Sequence, residues 1–166
     1  MEVTIRNMEN SDWTVASQIY QQGIDDGNAT YERKAPEWKV WDAAHIRKCR
    51  FVAVTDDKIV GFAVISNISA RAVYSGVAEV SIYIAKDCQG KGVGKRLMNH
   101  LVAETEKAGF WTLQSVIMQE NLPSLKLHEK CGFRTVGFRE RMAKDFKGVW
   151  RNTVLMERRS SAAGID

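Results

Sequence analysis

The chain has 166 residues, 45% of them apolar and 27% charged, enough for one well-buried core and too little for two comfortable ones. Twelve glycines, two prolines (Pro36 and Pro123) and no biased tract exclude collagen-like, low-complexity and disordered classes. Net charge is +4, but residues 1–83 hold 9 basic against 11 acidic groups while residues 84–166 hold 15 against 9, so anion binding is expected of the second half.

The elements follow in chain order. Glu2 to Asn7 alternates as a short strand, and Ser11-Asp12 caps a helix with Trp13, Ala16, Ile19 and Tyr20 on one face. Pro36, at a first-turn position, opens a second helix carrying Trp38, Trp41, Ala44 and His45. Phe51–Thr55 and Ile59–Ser66 are apolar strands joined by the tight-turn signal Asp56-Asp57-Lys58. The most strand-like segment, Ala78–Ile84, runs through a glycine loop into a helix with Val93, Leu97, Met98, Leu101, Val102 and Thr105 at helical spacing. Thr112–Met118 is another strand, and Asn121–Lys130 a short helix stopped by Gly132. Phe133–Arg139 and Val149–Glu157 close the chain as antiparallel strands, because the loop between them is too short for a crossover helix. The class is α+β with a mixed sheet of about six to seven strands and about four helices, in one domain over 1–166 whose tail from about residue 159 reads as polar and loose.

Glu2, Arg6, Glu9 and Asp12 break any apolar signal-peptide core at the start, and no membrane span can be drawn further on. Cys49, Cys88 and Cys131 are odd in number and lack Cys-x-x-Cys spacing, so no disulfide framework and no metal site is indicated, and a cytoplasmic, reducing setting fits best. Without a run of five basic residues, a nucleic-acid arm is a poor reading; a compact polyphosphate suits the basic half better.

The loop Gln89-Gly90-Lys91-Gly92-Val93-Gly94-Lys95 carries the chemistry. Backbone N–H groups in such a loop converge on phosphate oxygens, and the positive end of the following helix adds to the attraction. A P-loop is excluded, since Lys95 stands where its second glycine is required, and a dinucleotide fingerprint fails at Lys95 and Leu97. On the strand before the loop, alternation separates Ala78, Val80, Ile82 and Ile84 from Glu79, Ser81 and Tyr83, so Glu79 faces a polar surface. There it is either a solvated strand glutamate or a base for an amine, which cannot attack a thioester as ammonium. His128, seven residues after Asn121 and four after Ser124, shares a helix face with both if Asn121 is the cap. It either packs there or orients substrate and protonates a departing thiolate.

Gln89-x-x-Gly92-x-Gly94 resembles the pyrophosphate signature of the GNAT acyl-CoA N-acetyltransferases. Asn121-Leu-Pro-Ser124-Leu-Lys-Leu-His128-Glu-Lys-Cys-Gly132-Phe133 resembles their second signature, and the element order from residue 3 to 158 is similar to the whole GNAT fold. Ala70-Arg71-Ala-Val-Tyr74 followed by Ala78–Ile84 is similar to the phosphinothricin and methionine sulfoximine acetyltransferases. The resemblance implies an acetyl-CoA-dependent, metal-free enzyme that acetylates a small amino acid or analogue such as phosphinothricin, methionine sulfoximine or sulfone, or arsinothricin. It implies a homodimer, which would also bury the tryptophan-rich second helix. Cofactor contacts fall to the backbone of Ile82, Tyr83 and Ile84, to the loop Gln89, Gly90, Lys91, Gly92, Val93, Gly94 and Lys95, and to Asn121 and Ser124. Glu79 and His128 take the catalytic positions, Arg71 and Tyr74 hold the substrate, and Tyr31 and Glu32 border its pocket. Trp150-Arg151-Asn152 departs from the family's usual Trp-x-Asp. Competing readings are a protein N-terminus or polyamine acetyltransferase of the same fold, a non-catalytic acyl-CoA-binding module, and a basic nucleic-acid-binding domain.

Overall fold

A computed structural model describes residues 1–166. The elements run β1 (Thr4–Asn7), α1 (Trp13–Asp26), α2 (Trp38–Ala44), β2 (Phe51–Thr55), β3 (Lys58–Asn67), β4 (Val77–Ile84), α3 (Val93–Lys107), β5 (Thr112–Met118), α4 (Leu122–Lys130), β6 (Arg134–Lys144) and β7 (Trp150–Arg159). They build a seven-stranded sheet in the order β1-β2-β3-β4-β5-β7-β6, antiparallel everywhere except at β4–β5. The parallel pair follows from the length of its connection, which is long enough to carry α3 across the sheet.

The β2–β3 hairpin closes as the sequence predicts, with Asp56 (φ 47°) and Asp57 (φ 61°) both left-handed between paired Thr55 and Lys58. Two consecutive left-handed residues match the right-handed twist of the strands. Asp12 differs from its predicted role. Its carboxylate takes Arg6 through two hydrogen bonds of 2.7 and 3.0 Å and the Glu9 amide at 2.7 Å, so it secures the turn before α1 and leaves that helix without a side-chain cap. Pro36 lies outside α2, which begins after Glu37, and His45 ends it with extended backbone.

One continuous core lies between the sheet and the helices. Trp13 stacks on Trp41 at 4.4 Å, and both meet the edge of Phe62. Trp41 is thus buried within its own chain, and α2 needs no partner subunit to cover it. The tail from residue 160 is tied back. The Ser160 amide donates to the Trp111 carbonyl at 2.8 Å, its hydroxyl to Glu106 at 2.8 Å, and the Arg159 guanidinium to the Ala163 carbonyl. No helix is long and apolar enough to cross a membrane.

Candidate active site

The site originates where β4 and β5 part. Their pairing has three rungs, Val77–Thr112, Ala78–Leu113 and Glu79–Gln114, and beyond Glu79 the strands diverge. The β5-facing edge of Val80–Ile84 is therefore left without a strand partner. Two adjoining cavities fill the wedge, one of about 650 Å³ toward the glycine loop and one of about 430 Å³ toward β6 and β7. Ala29, Ile82, Tyr83, Asn121 and Ser124 line both.

The larger cavity is walled by backbone and cations. Gly90 (φ 72°) and Gly92 (φ 83°) hold left-handed conformations that glycine adopts without strain, and Gly92 is the N-cap of α3. No side chain caps that helix, so its first-turn amides remain available to an anion. Gly94 is small for another reason: a Cβ there would lie 3.2 Å from Leu127 and 3.6 Å from Ile84, where α3 presses on α4 and β4. Lys95, Lys126 and Lys130 line the cavity, with Asp26 and Glu120 in the same wall. Gln89 reaches back to donate from Nε2 to the Ile84 carbonyl at 3.2 Å. Val93 turns into the core and Lys91 into solvent, so neither side chain belongs to the lining.

Asn121 caps α4 as predicted, its Oδ1 accepting the Ser124 amide at 3.3 Å. The helix carries His128 to the smaller cavity, where the imidazole is almost fully buried and set edge-on against Phe133. Its Nδ1 lies 2.7 Å from the Ser124 carbonyl. A carbonyl only accepts, so Nδ1 carries the proton and Nε2 presents a lone pair to the cavity. Burial pushes this histidine below the ordinary imidazole range, the Nδ1 hydrogen bond opposing it in part, which favours the neutral ring.

Glu79 lines the same cavity, half-buried, with Oε1 accepting from Gln114 Nε2 at 3.2 Å. The face it shares with Tyr83 is not the polar surface predicted from alternation. Tyr83 packs against Phe62 at 5.4 Å and Tyr20 at 4.7 Å beneath α1, and burial drives its phenol above the ordinary tyrosine range.

Of the five buried side-chain polar atoms without a hydrogen-bond partner, four belong to residues lining this cavity: Tyr31 OH, Ser115 Oγ, His128 Nε2 and Thr153 Oγ1. Buried polar groups are normally satisfied, so such a concentration marks a polar cavity where ligand or ordered water supplies the partners. The segment bearing Tyr31 is clamped by Arg151, which donates to the Gly27 carbonyl at 2.7 Å, to Asp145 at 3.1 Å, to Glu120 at 3.2 Å and to Asn28.

Glu79, His128 and Tyr31 thus come together, as do Ile82–Ile84, Gln89, Gly90, Gly92, Gly94, Lys95, Asn121 and Ser124. Arg71 and Tyr74 do not join them. They stand exposed on the β3–β4 loop, the guanidinium 5.8 Å from the tyrosine ring, and with exposed Glu32 they line neither cavity. Sequence reasoning passed over Arg139, Met142, Ser115, Thr153 and Lys130. A signal existed for Ser115, a hydroxyl between Leu113 and Ile117 on the buried face of β5.

Cys88 and Cys131 are buried, and burial raises both thiols, consistent with packing. Asn152, where the family usually has aspartate, accepts the Arg141 amide at 2.8 Å and donates to Gln119 Oε1 at 3.1 Å.

Comparison with known proteins identifies the family. A phosphinothricin N-acetyltransferase of Alcaligenes faecalis is 32% identical over 93% of this chain and 81% of its own length. An L-methionine sulfoximine/L-methionine sulfone acetyltransferase of Pseudomonas paraeruginosa is 23% identical over 95% of this chain and 94% of its own. The crystal structure of a GNAT superfamily phosphinothricin acetyltransferase from Sinorhizobium meliloti, in complex with acetyl-CoA, superposes with a TM-score of 0.86 at 26% identity, covering 100% of this chain and 92% of that one. The acetyltransferase (GNAT) family profile matches residues 5–133, and the chain belongs to that family of N-acetyltransferases.

Proposed function

We propose that this protein transfers the acetyl group of acetyl-CoA to the amino group of a small amino acid or analogue with an oxygen-rich side chain, of the phosphinothricin, methionine sulfoximine, methionine sulfone or arsinothricin type. The observation that carries this reading is the set of unpartnered Tyr31, Ser115 and Thr153 hydroxyls beside Glu79 and His128. Three neutral donors suit a phosphinate, sulfone or sulfoximine head, whose oxygens accept hydrogen bonds.

The larger cavity fits acetyl-CoA, which supplies an activated thioester acyl group when bound. The free edge of Val80–Ile84 offers strand-like hydrogen bonding to the pantetheine arm, Asn121 adds a polar contact, and Gly90–Lys95 with the uncapped start of α3 suits the pyrophosphate. Lys126 and Lys130 extend the cationic wall. Because the cavities adjoin and both buried cysteines are protonated packing groups, transfer is direct. Glu79 takes the ammonium proton. Neutral His128 cannot donate at Nε2 until it has accepted, so it takes the second nitrogen proton as the amide forms and holds it for the departing sulfur. One proton is released overall, through Glu79.

The polyamine reading is weaker, because the acceptor cavity pairs its single carboxylate, Glu79, with Arg139. The basic second half with its dispersed cations supports a phosphorylated cofactor rather than nucleic acid. The exposed apolar side chains Val136, Phe138 and Met142 on edge strand β6 support assembly as a homodimer. We place this detoxifying activity in the cytoplasm, in keeping with three free cysteines.

The test is release of CoA thiol from acetyl-CoA in the presence of phosphinothricin, methionine sulfone, methionine sulfoximine, spermidine or a peptide with a free N-terminus. Thiol release dependent on the amino-acid analogues is expected. Release only with spermidine or peptide, or with none, refutes the reading.

A further inference from the structure

We infer that Arg139 is the residue that recognises the substrate carboxylate, so that the acceptor cavity selects zwitterionic α-amino acids over simple amines. The inference rests on the amino-acid reading above and names the group that enforces it.

Glu79 and Arg139 are the formally charged side chains in the acceptor lining, His128 being held neutral. A cavity with one carboxylate and one guanidinium complements a zwitterion, with the ammonium at Glu79, where it is deprotonated, and the carboxylate at Arg139. A guanidinium presents parallel N–H donors that match a carboxylate fork. Arg139 is available for this role, since it makes no ion pair and no side-chain hydrogen bond within the chain. The clamping arginine Arg151 is fully committed to Gly27, Asn28, Glu120 and Asp145.

The register places this residue opposite Thr153, which also lines the cavity, and a bulge follows it directly. Arg139 pairs with Thr153 and Ala143 with Arg151, so three residues of β6 oppose the single Asn152 of β7. Such a bulge re-aims side chains, and it sits at the cavity mouth. Regular alternation would put Met142 on the opposite face from Arg139 and Ala143, yet all three line the cavity. Arg141 takes the left-handed turn at φ 49°, and Asn152 pins it through the Arg141 amide while donating to Gln119.

The experiment is steady-state kinetics on the full chain, pairing the best amino-acid substrate of the panel with its decarboxylated amine, for methionine sulfone 3-(methylsulfonyl)propylamine. The native protein is expected to show a much lower KM for the amino acid than for the amine. Arg139→Ala should raise the amino-acid KM roughly tenfold to a hundredfold, the worth of charge-assisted hydrogen bonds, and bring it level with the amine. The KM for acetyl-CoA should not move, which also reports a folded protein, and Arg139→Lys should recover part of the preference. Equal KM values for amino acid and amine in the native protein would overturn the inference. So would a preference retained by Arg139→Ala, or one abolished instead by Arg71→Ala. If native protein transfers acetyl to amines but to no amino acid, the underlying amino-acid reading has failed, an outcome distinct from loss of the anchor alone.

Discussion

The larger cavity, proposed for the cofactor, and the smaller one, proposed for the acceptor, share a wall, yet they are built differently. The first combines the glycine loop and the uncapped start of α3 with lysines of α3 and α4, and is closed by Gly23, Asp26, Asn28 and Ala29 at and after the end of α1. The second is made of side chains, drawn from the segment after α1, from β4, β5 and α4, and from the last two strands. On the proposed function, the glycine loop reads the pyrophosphate that every acyl-CoA shares, so its chemistry is general. A side-chain cavity reads one substrate, and single substitutions there change the reaction rather than the binding of the common cofactor.

That contrast is broken most severely at Glu79. Glu79→Gln should keep acetyl-CoA affinity while turnover falls by about a hundredfold to ten-thousandfold, the usual worth of a general base. Thermal shift with acetyl-CoA and stopped-time thiol release measure the two separately. An unchanged rate, with chemistry shown to be limiting, would leave Glu79 as a strand glutamate paired with Gln114.

The mirror-image substitution is Gly92→Val. A β-branched residue at φ 83° is strongly disfavoured, and the strain falls on the N-cap of α3. Acetyl-CoA at a hundredfold excess over its Kd should stabilise the native protein by about 2.7 kcal/mol, and the variant should lose most of that shift in Tm. Retention of the full shift would remove the glycine loop from the cofactor site.

The smallest effect concerns pH. His128 is buried neutral with its pKa lowered, so the unfolded chain binds more protons in the acid window, and stability falls as pH drops below the ordinary histidine value of about 6.5. His128→Asn should narrow the difference between Tm at pH 8 and at pH 5. The difference should not vanish, because half-buried His45 carries a shift in the same direction. An unchanged difference would mean that His128 is solvated and titrates freely.

The two cavities also differed in how far residues alone revealed them. The glycine loop was legible because its chemistry is local: spacing, helix start and cation placement all occur within one stretch. Most elements were legible for the same reason, through periodicity and turn residues such as Asp56-Asp57. The acceptor cavity depends on which strands lie side by side and in what register, and neither Arg139 nor Thr153 carries that information in its neighbours. Strand β6 runs to Lys144, five residues beyond its predicted end, because the bulge at Glu140–Met142 erases alternation and its left-handed residue is an arginine, not a glycine. Asp12 misled because an aspartate before a helix reads as a cap, whereas Arg6, six residues back, claims both oxygens.

The brief seam between β4 and β5 has a mechanical consequence. Three rungs, extended by the Trp111 and Thr112 amides on the Gly76 carbonyl, connect β1–β4 with the three strands beyond, the shortest pairing in the sheet. On the proposed function, acetyl-CoA laid along the free edge of Val80–Ile84 would act there as a splint as well as a reagent. Its departure would unstiffen the two halves, and the amides of Val80, Ile82 and Ile84, which face away from β3, would be the gauge of that stiffness, exchanging slowly when the splint is in place and faster when it has gone.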